Sequence, residues 1–232
     1  MVEPPTEWSH RLLLLRHGEV ASHGGDVPVT QAGLAHAEEV GRRLALDEGG
    51  SILLLSGETL RTRQTAELVA QGARAAGANI TGPVVSFALR NPDLYLAGHR
   101  VEMVSTAGAF AEQVPGLRED EAITVPFFGA FLNAPDRIEC WLNHPNPPGD
   151  DVKIVARRLE VFAGSLADFG PSGPQLIVAI THSPVIRACA LSNLGADPGE
   201  PRFLGGLEAW IRTNRTVHWG WLSELSSKTP AT

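Results

Sequence analysis

Two adjacent residues with chemical capacity, Arg16 and His17, end the run Leu12-Leu13-Leu14-Leu15 and precede Gly18 and Glu19. A guanidinium presents a planar fork of donors that suits phosphate or carboxylate oxygens. An imidazole can act as nucleophile, base or donor near neutral pH. Arg61 and Arg63 follow the stretch Ser56-Gly57-Glu58-Thr59-Leu60, and a second histidine, His182, stands directly before Ser183-Pro184. Taken singly, such residues read as surface charges and satisfied loop histidines. Two arginines, two histidines and a helix start brought together would instead cradle a dianion, because a helix N-terminus adds unpaired N–H groups and partial positive charge. Phosphoryl oxygens fit that donor set, whereas a carboxylate would need fewer donors. Arg63, two residues beyond Arg61 on a helix, should point elsewhere and reads as structural.

The elements that must hold these residues are visible as apolar runs. Four consecutive leucines cannot alternate between core and water, so residues 11–16 read as a strand buried on both faces of a parallel sheet. Residues 51–56 and 175–181 repeat the pattern, and residues 84–89 read as a third strand in chain order. Helices are expected from the Thr30 cap through Leu34, Ala37, Val40 and Leu44, and over 59–76. A further helix is opened by Pro147-Pro148-Gly149-Asp150, with Asp150 as its cap, and another starts with Ser183 as cap and Pro184 at the first helical position. Two closing runs, 207–213 and 216–222, flank Asn214-Arg215 and read as a hairpin. The expected architecture is α/β: a three-layer αβα sandwich with a mostly parallel sheet, one antiparallel edge strand and a helical insertion over the active site. Ligands of such sheets bind beyond the carboxyl ends of the strands, where Arg16, His17 and His182 fall. The chain reads as a single domain over 1–232, with 91–148 as a cap-like insertion, since no Gly/Ser linker flanks that segment. The aromatics Phe127, Phe128 and Phe131 read first as the insertion's own core and second as a partly apolar pocket wall.

Composition narrows the function classes. The 232 residues are 43% hydrophobic and 19% charged, as in ordinary globular proteins. A net charge of −7 argues against general nucleic-acid binding. No apolar run approaches the ~20 residues of a membrane span, and residues 1–5 show neither a basic region nor an apolar core of a secretory signal. Cys140 and Cys189 form no CxxC pair and read as free thiols in a reducing cytoplasm. Lysine occurs only at 153 and 228, so positive charge is nearly all arginine. The exposed edge near the closing hairpin could pair with a second copy of the chain.

These motifs resemble those of the histidine phosphatase superfamily, which includes cofactor-dependent phosphoglycerate mutases. Arg16-His17-Gly18-Glu19 is similar to its signature, Arg61-Thr62-Arg63-Gln64-Thr65-Ala66 to its second motif, and Thr181-His182-Ser183 to its third. Thr30, Gly33 and Gly149-Asp150-Asp151 also fit, while 91–148 offers little to align. The resemblance implies that His17 is the nucleophile that becomes phosphohistidine, with Arg16, Arg61 and His182 holding the phosphoryl oxygens. It implies a small phosphorylated metabolite as partner, and neither metal nor cofactor; the two histidines lie on separate strands without an acidic cluster.

The sequence departs from the family pattern in three places. Asn91 stands in Leu89-Arg90-Asn91-Pro92-Asp93 where a glutamate general acid is expected, and an amide cannot donate that proton. Asp93 is the first replacement candidate, ahead of Glu19 and Glu102. His23 stands where an asparagine often touches phosphate and is a candidate phosphate or substrate ligand. Ser183 replaces a common glycine. Three functions follow from these features: phosphatase, mutase, or a binding protein that lost its acid. The insertion offers Arg90, Arg100, Arg118 and Arg137 but no adjacent arginine pair for a second acidic substituent, which favours hydrolysis over a mutase.

Overall fold

Leu12, Leu13, Leu14 and Leu15 lose all solvent contact in strand β1 (Trp8–Arg16). Successive side chains of a strand point to opposite faces, so Leu12 and Leu14 enter one apolar core while Leu13 and Leu15 enter another. The computed structural model describes residues 8–48 and 50–222. After β1 the chain forms α1 (Gln31–Glu48), β2 (Ser51–Ser56), α2 (Leu60–Ala75), β3 (Asn79–Val85), β4 (Leu94–Leu96) and β5 (His99–Val101). It continues through α3 (Ala107–Ala111), α4 (Glu119–Ala122), α5 (Pro126–Asn133), α6 (Arg137–Leu142) and α7 (Val152–Ser165). Last come β6 (Leu176–Thr181), α8 (Ser183–Leu194), β7 (Gly206–Arg212) and β8 (Val217–Trp221). No described helix is long and apolar enough to cross a membrane.

The main sheet has the order β3-β2-β6-β1-β7-β8. β1, β2, β3 and β6 are parallel, β7 runs against β1, and β8 pairs antiparallel with β7 to close that edge. α1 and α2 cover one face through Ala37, Val40, Leu44, Ala66 and Val69. α7 and α8 cover the other through Val155, Leu159, Val185 and Ile186. The chain leaves β1 toward one face and β6 toward the other, so the adjacent carboxyl ends of these strands form a switch point. Residues 91–148 hold a β4–β5 hairpin and the four short helices α3 to α6. Phe110, Phe127, Phe128, Phe131 and Trp141 of this segment are buried in the same core as Leu12 and Leu14.

Several local expectations need correction. The third strand lies at Asn79–Val85, and Phe87–Leu89 form a 3₁₀ turn. An edge strand is half-solvated, so its pattern is weak: Val84 and Phe87, which suggested a strand further on, are exposed. The insertion is not purely helical, since β4 and β5 pair within it. Asp151, not Asp150, caps α7 by accepting from the Ile154 N–H at 2.8 Å. Asp150 instead accepts from the Asp93 N–H and pairs with Arg158. His182 occupies the cap position of α8, and the Ser183 hydroxyl donates to Glu200 at 2.6 Å. The first strand starts at Trp8, three residues before the expected position 11; residues 1–7, on which the signal-peptide reading falls, and Gly49 lie outside the described residues.

α1 and α2 approach each other through two glycines. A Cβ on Gly72 would lie 1.9 Å from the Glu38 carbonyl oxygen, and one on Gly41 would lie 2.1 Å from that of Val69. Both obstacles are helix backbone, which cannot step aside without separating the helices. Gly72→Ala is therefore expected to lower unfolding free energy by about 1–3 kcal/mol. Gly108→Ala, in α3 with no backbone in its way, should instead be neutral or stabilise by up to about 1 kcal/mol. Chemical denaturation midpoints of both variants check the contrast.

Candidate active site

Strand register builds the site. β1 and β6 pair with Arg16 opposite Thr181, and the His17 N–H continues the ladder by donating to the Thr181 carbonyl at 2.9 Å. The residues after both strands, His17 and His182, therefore emerge side by side, with ring centroids 5.5 Å apart. A one-residue slip in this pairing would turn the strand's side chains to the other face. Arg61 arrives from the first turn of α2, and Thr65 on the next turn accepts the Gly18 N–H at 2.8 Å while donating to the Arg61 carbonyl at 2.6 Å. Gly33 has no alternative: a Cβ there would stand 2.8 Å from the Glu19 nitrogen.

Arg16, His17, Arg61 and His182 line one cavity of about 380 Å³, together with His23 and Asn91. That volume suits a small molecule. Met103, Val104, Phe131 and Ile138 form its apolar wall, and Asp136, Arg137, Ser183 and Glu200 add polar groups. Phe131 thus serves both the segment's core and the pocket. All four expected phosphate-handling residues are brought together, and His23 joins them with its ring 6.2 Å from that of His17.

The electrostatics are those of an anion site. His17 is 2% exposed, and its Nδ1 lies 2.8 Å from the Gly18 carbonyl oxygen. An imidazole bonded to a carbonyl must carry its proton on that nitrogen, which leaves the Nε2 lone pair free. Burial, opposed by the Gly18 bond and reinforced by Arg61 and Arg16, pushes the His17 pKa from 6.5 down to about 3. Burial first, then Arg61, holds His182 well below the usual histidine value, and burial with Arg16 and Arg61 lowers His23 as well. Arg16 Nε, Arg61 Nε and His182 Nε2 are buried without a hydrogen-bond partner. Buried polar atoms are normally paired, so these three, with Asn91 Oδ1 and Arg137 Nε on the same lining, make five unpaired ones around a single cavity. Arg16 is otherwise held by the Pro201 carbonyl at 2.7 Å, by Glu200 at 2.7 Å and by the Phe203 ring, 4.1 Å from its guanidinium carbon. Arg61 donates to the Gly25 carbonyl at 3.2 Å.

Asp93 does not join this site. It bonds Arg90 at 2.7 Å and also pairs with Arg100. Burial pushes its carboxyl up, but the two arginines outweigh burial and hold it below the usual aspartate value. A carboxylate so held is a poor proton donor and lies off the cavity wall, which overturns the expectation for Asp93. Glu19 also lies elsewhere: its carboxylate accepts from the Thr30 hydroxyl at 2.8 Å, anchoring the start of α1. Of the three acid candidates, Glu102 is the one joined to a lining residue of the cavity. It accepts from Asn91 Nδ2 at 2.8 Å and is the acidic group acting most strongly on Arg61. Asn91 Oδ1 stays buried and unpaired. Sequence reasoning left unassigned the pocket positions of Glu200 and Asp136, since no apolar period or motif surrounds them, and of the four insertion arginines weighed there only Arg137 lines the cavity. Among the described residues, no group of three or more His, Cys, Asp and Glu side chains is arranged to hold a metal ion.

Comparison with known proteins agrees with this geometry. The model of the histidine phosphatase superfamily (branch 1) matches residues 12–80, the span that carries Arg16, His17 and Arg61. No curated protein sequence matches the chain significantly. Among solved structures, the mycobacterial glucosyl-3-phosphoglycerate phosphatase with inorganic phosphate is similar at TM-score 0.59 and 16% identity, covering 94% of this chain and 98% of that one. YhfR of Bacillus stearothermophilus is similar at TM-score 0.58 and 19% identity, covering 94% of this chain and 100% of that one. The phosphoglycerate mutase of Bacillus anthracis str. Sterne gives TM-score 0.55 at 13% identity, with 94% of each chain covered. Residues 12–80 thus match the model of the histidine phosphatase superfamily (branch 1), and the chain shares the α/β fold of phosphoglycerate mutase-like phosphatases.

Proposed function

We propose that this chain is a metal-independent phosphatase that hydrolyses a small phosphomonoester through a phosphohistidine on His17. The observation that carries the reading is a neutral imidazole, its Nε2 lone pair free, set among the buried, unpaired nitrogens of Arg16, Arg61 and His182. In the first step Nε2 attacks phosphorus, and the bond from phosphorus to the ester oxygen breaks with its electron pair on oxygen. That oxygen takes up a proton from solvent as it leaves. Water then attacks the phosphohistidine, the phosphorus–nitrogen bond breaks, and inorganic phosphate departs as His17 regains its lone pair. The two arginines stabilise the charge on the equatorial oxygens throughout. Segment 91–148 is the cap, with Phe131 and Ile138 against the ester's organic part. Both cysteines are free, which supports a cytoplasmic setting.

One observation favours a second reading, a phosphate-ligand binding protein: Asn91 lines the cavity where an acid would protonate the leaving group. General acid catalysis contributes about 10²–10⁴-fold, and an activated ester with a good leaving group dispenses with most of it. Hydrolysis of p-nitrophenyl phosphate with chelator present separates the readings. Turnover is expected in the wild type, with His17→Ala reducing it by on the order of 10³-fold or more and Arg61→Ala by about 10²–10³-fold. Alkyl phosphates should react at least about 10²-fold more slowly than the p-nitrophenyl ester, because no acid aids their departure. Turnover that survives His17→Ala would remove the nucleophile assignment, and a wild type that binds phosphate but turns over neither ester would leave the binding protein.

A neutral His17 also predicts a pH signature of stability. Its folded pKa lies near 3 against 6.5 when unfolded, so between these values the unfolded chain binds the extra proton. Stability is then full above pH 6.5 and falls as pH drops toward 3, by up to about 1.4 kcal/mol per pH unit for one such group. His17→Gln removes this contribution, and its urea midpoint should fall less steeply than the wild type's from pH 6.5 to 4.5.

A further inference from the structure

The carboxylates of Asp136 and Glu200 line the same cavity as Arg16, His17, Arg61 and His182. Negative charge on the wall of an anion site opposes its ligand. Asp136 is committed to structure: it pairs with Arg187 at 2.8 Å and caps α6 by accepting from the Glu139 N–H at 2.9 Å. Glu200 is held against a member of the phosphate cluster itself. One of its oxygens lies 2.7 Å from an Nη of Arg16. The other accepts from the Ser183 hydroxyl at 2.6 Å and lies 3.8 Å from Arg187. Ser183, which stands in place of a common glycine, thus acts on Glu200. The Pro201 carbonyl takes the second Nη of Arg16 at 2.7 Å, and Nε is left unpaired. Arg61 is not engaged in this way: Asp26 stands off at 3.7 Å, and neither Asp26 nor Glu102 lines the cavity. The Glu200 side chain is 49% exposed and also borders a second cavity of about 830 Å³. It is therefore hydrated from a side that a ligand at His17 does not occupy.

Resting on the phosphate-site reading, we infer that Glu200 limits the affinity of this cavity for a phosphoryl dianion by competing with it for Arg16. Two anions drawn to one guanidinium repel each other, and the partial exposure of Glu200 weakens that repulsion without cancelling it. Removing the Glu200 charge then makes inorganic phosphate bind more tightly, the reverse of what losing a structural brace would do. The gain to the protein is in turnover. The same nitrogens hold the substrate's phosphoryl group and the phosphate that remains after hydrolysis, so affinity common to both slows product release without aiding the chemical step.

Calorimetric titration with inorganic phosphate tests this. Glu200→Gln keeps the shape and removes the charge, and should bind phosphate about three- to tenfold more tightly than the wild type. Glu200→Ala should shift affinity in the same direction and carries the test where the amide variant does not fold. Ser183→Ala breaks the bond to Glu200 but keeps the charge, and should leave phosphate affinity within about twofold. Phosphate inhibition of p-nitrophenyl phosphate turnover should give the same ranking. Affinity that is unchanged or weaker in a folded Glu200 variant overturns the inference and leaves the phosphate site in place. A gain in Ser183→Ala equal to that of Glu200→Gln also overturns it, because the effect then belongs to loop geometry and not to charge. The expected ratio without any turnover removes the phosphatase reading alone, and failure of the wild type and all variants to bind phosphate overturns both.

Discussion

The pairing of β1 with β6 is the constraint on which the rest of the molecule depends. Burial and the two neighbouring guanidinium charges together keep both imidazoles neutral, yet a dry imidazole with an unpaired nitrogen is costly to bury. A loop could not hold His17 and His182 in that condition, because it would relax toward water. Two adjacent parallel strands, each apolar on both faces, can. Their side chains divide between two cores, so shifting either strand would expose leucine, isoleucine and valine on both sides at once. The hydrophobic interior is what keeps a cluster of unpaired polar atoms in place. The cluster leaves Arg16 Nε, Arg61 Nε and His182 Nε2 buried without partners.

This dependence explains which features were legible in the sequence. Buried parallel strands announce themselves as unbroken apolar runs, and β1, β2 and β6 matched their expected positions closely. Residues that end such strands inherit a known location, so Arg16, His17 and His182 could be placed at one sheet edge before any coordinates, with Arg61 following from β2. Legibility failed where burial is partial. In β3, at the sheet edge, exposed and half-buried positions mix along Asn79–Val85, and the exposed apolar residues just beyond it shifted the expected strand. Caps were misplaced by one residue at α7 and α8, because Asp150-Asp151 and His182-Ser183 each offer two polar neighbours that sequence alone cannot rank.

The replacement acid was misjudged for a different reason. Chain distance favoured Asp93, two residues from Asn91. Side-chain direction decided otherwise, and direction here follows from ion pairs. Asp93 is drawn between Arg90 and Arg100, while Glu102, eleven residues from Asn91, is the one bonded to it. Arg100 bridges the two sets, contacting Asp93, Glu58 and Glu102. A network of this kind fixes each carboxylate through partners that no local pattern announces. The asparagine is only half satisfied in this setting: its amide donates to Glu102, while its oxygen is buried without a partner.

Chemistry and recognition come from different parts of the chain, and one buried arginine keeps them in register. Arg187 on α8 is 1% exposed and bonds both Asp136 and Asp197. Asp136 caps the helix that Arg137 opens, and His182 caps the helix that carries Arg187. The same guanidinium therefore ties the segment bearing the apolar wall to the helix that follows the second histidine. Removing one partner of a fully buried pair costs about 3–5 kcal/mol, and the cost here is smaller because Asp136 and Asp197 remain partly solvated. The larger consequence is geometric. With Arg187 in place, the distance between the strand-end cluster of Arg16, His17 and His182 and the apolar wall on α5 and α6 is set by packed helices rather than by a loop.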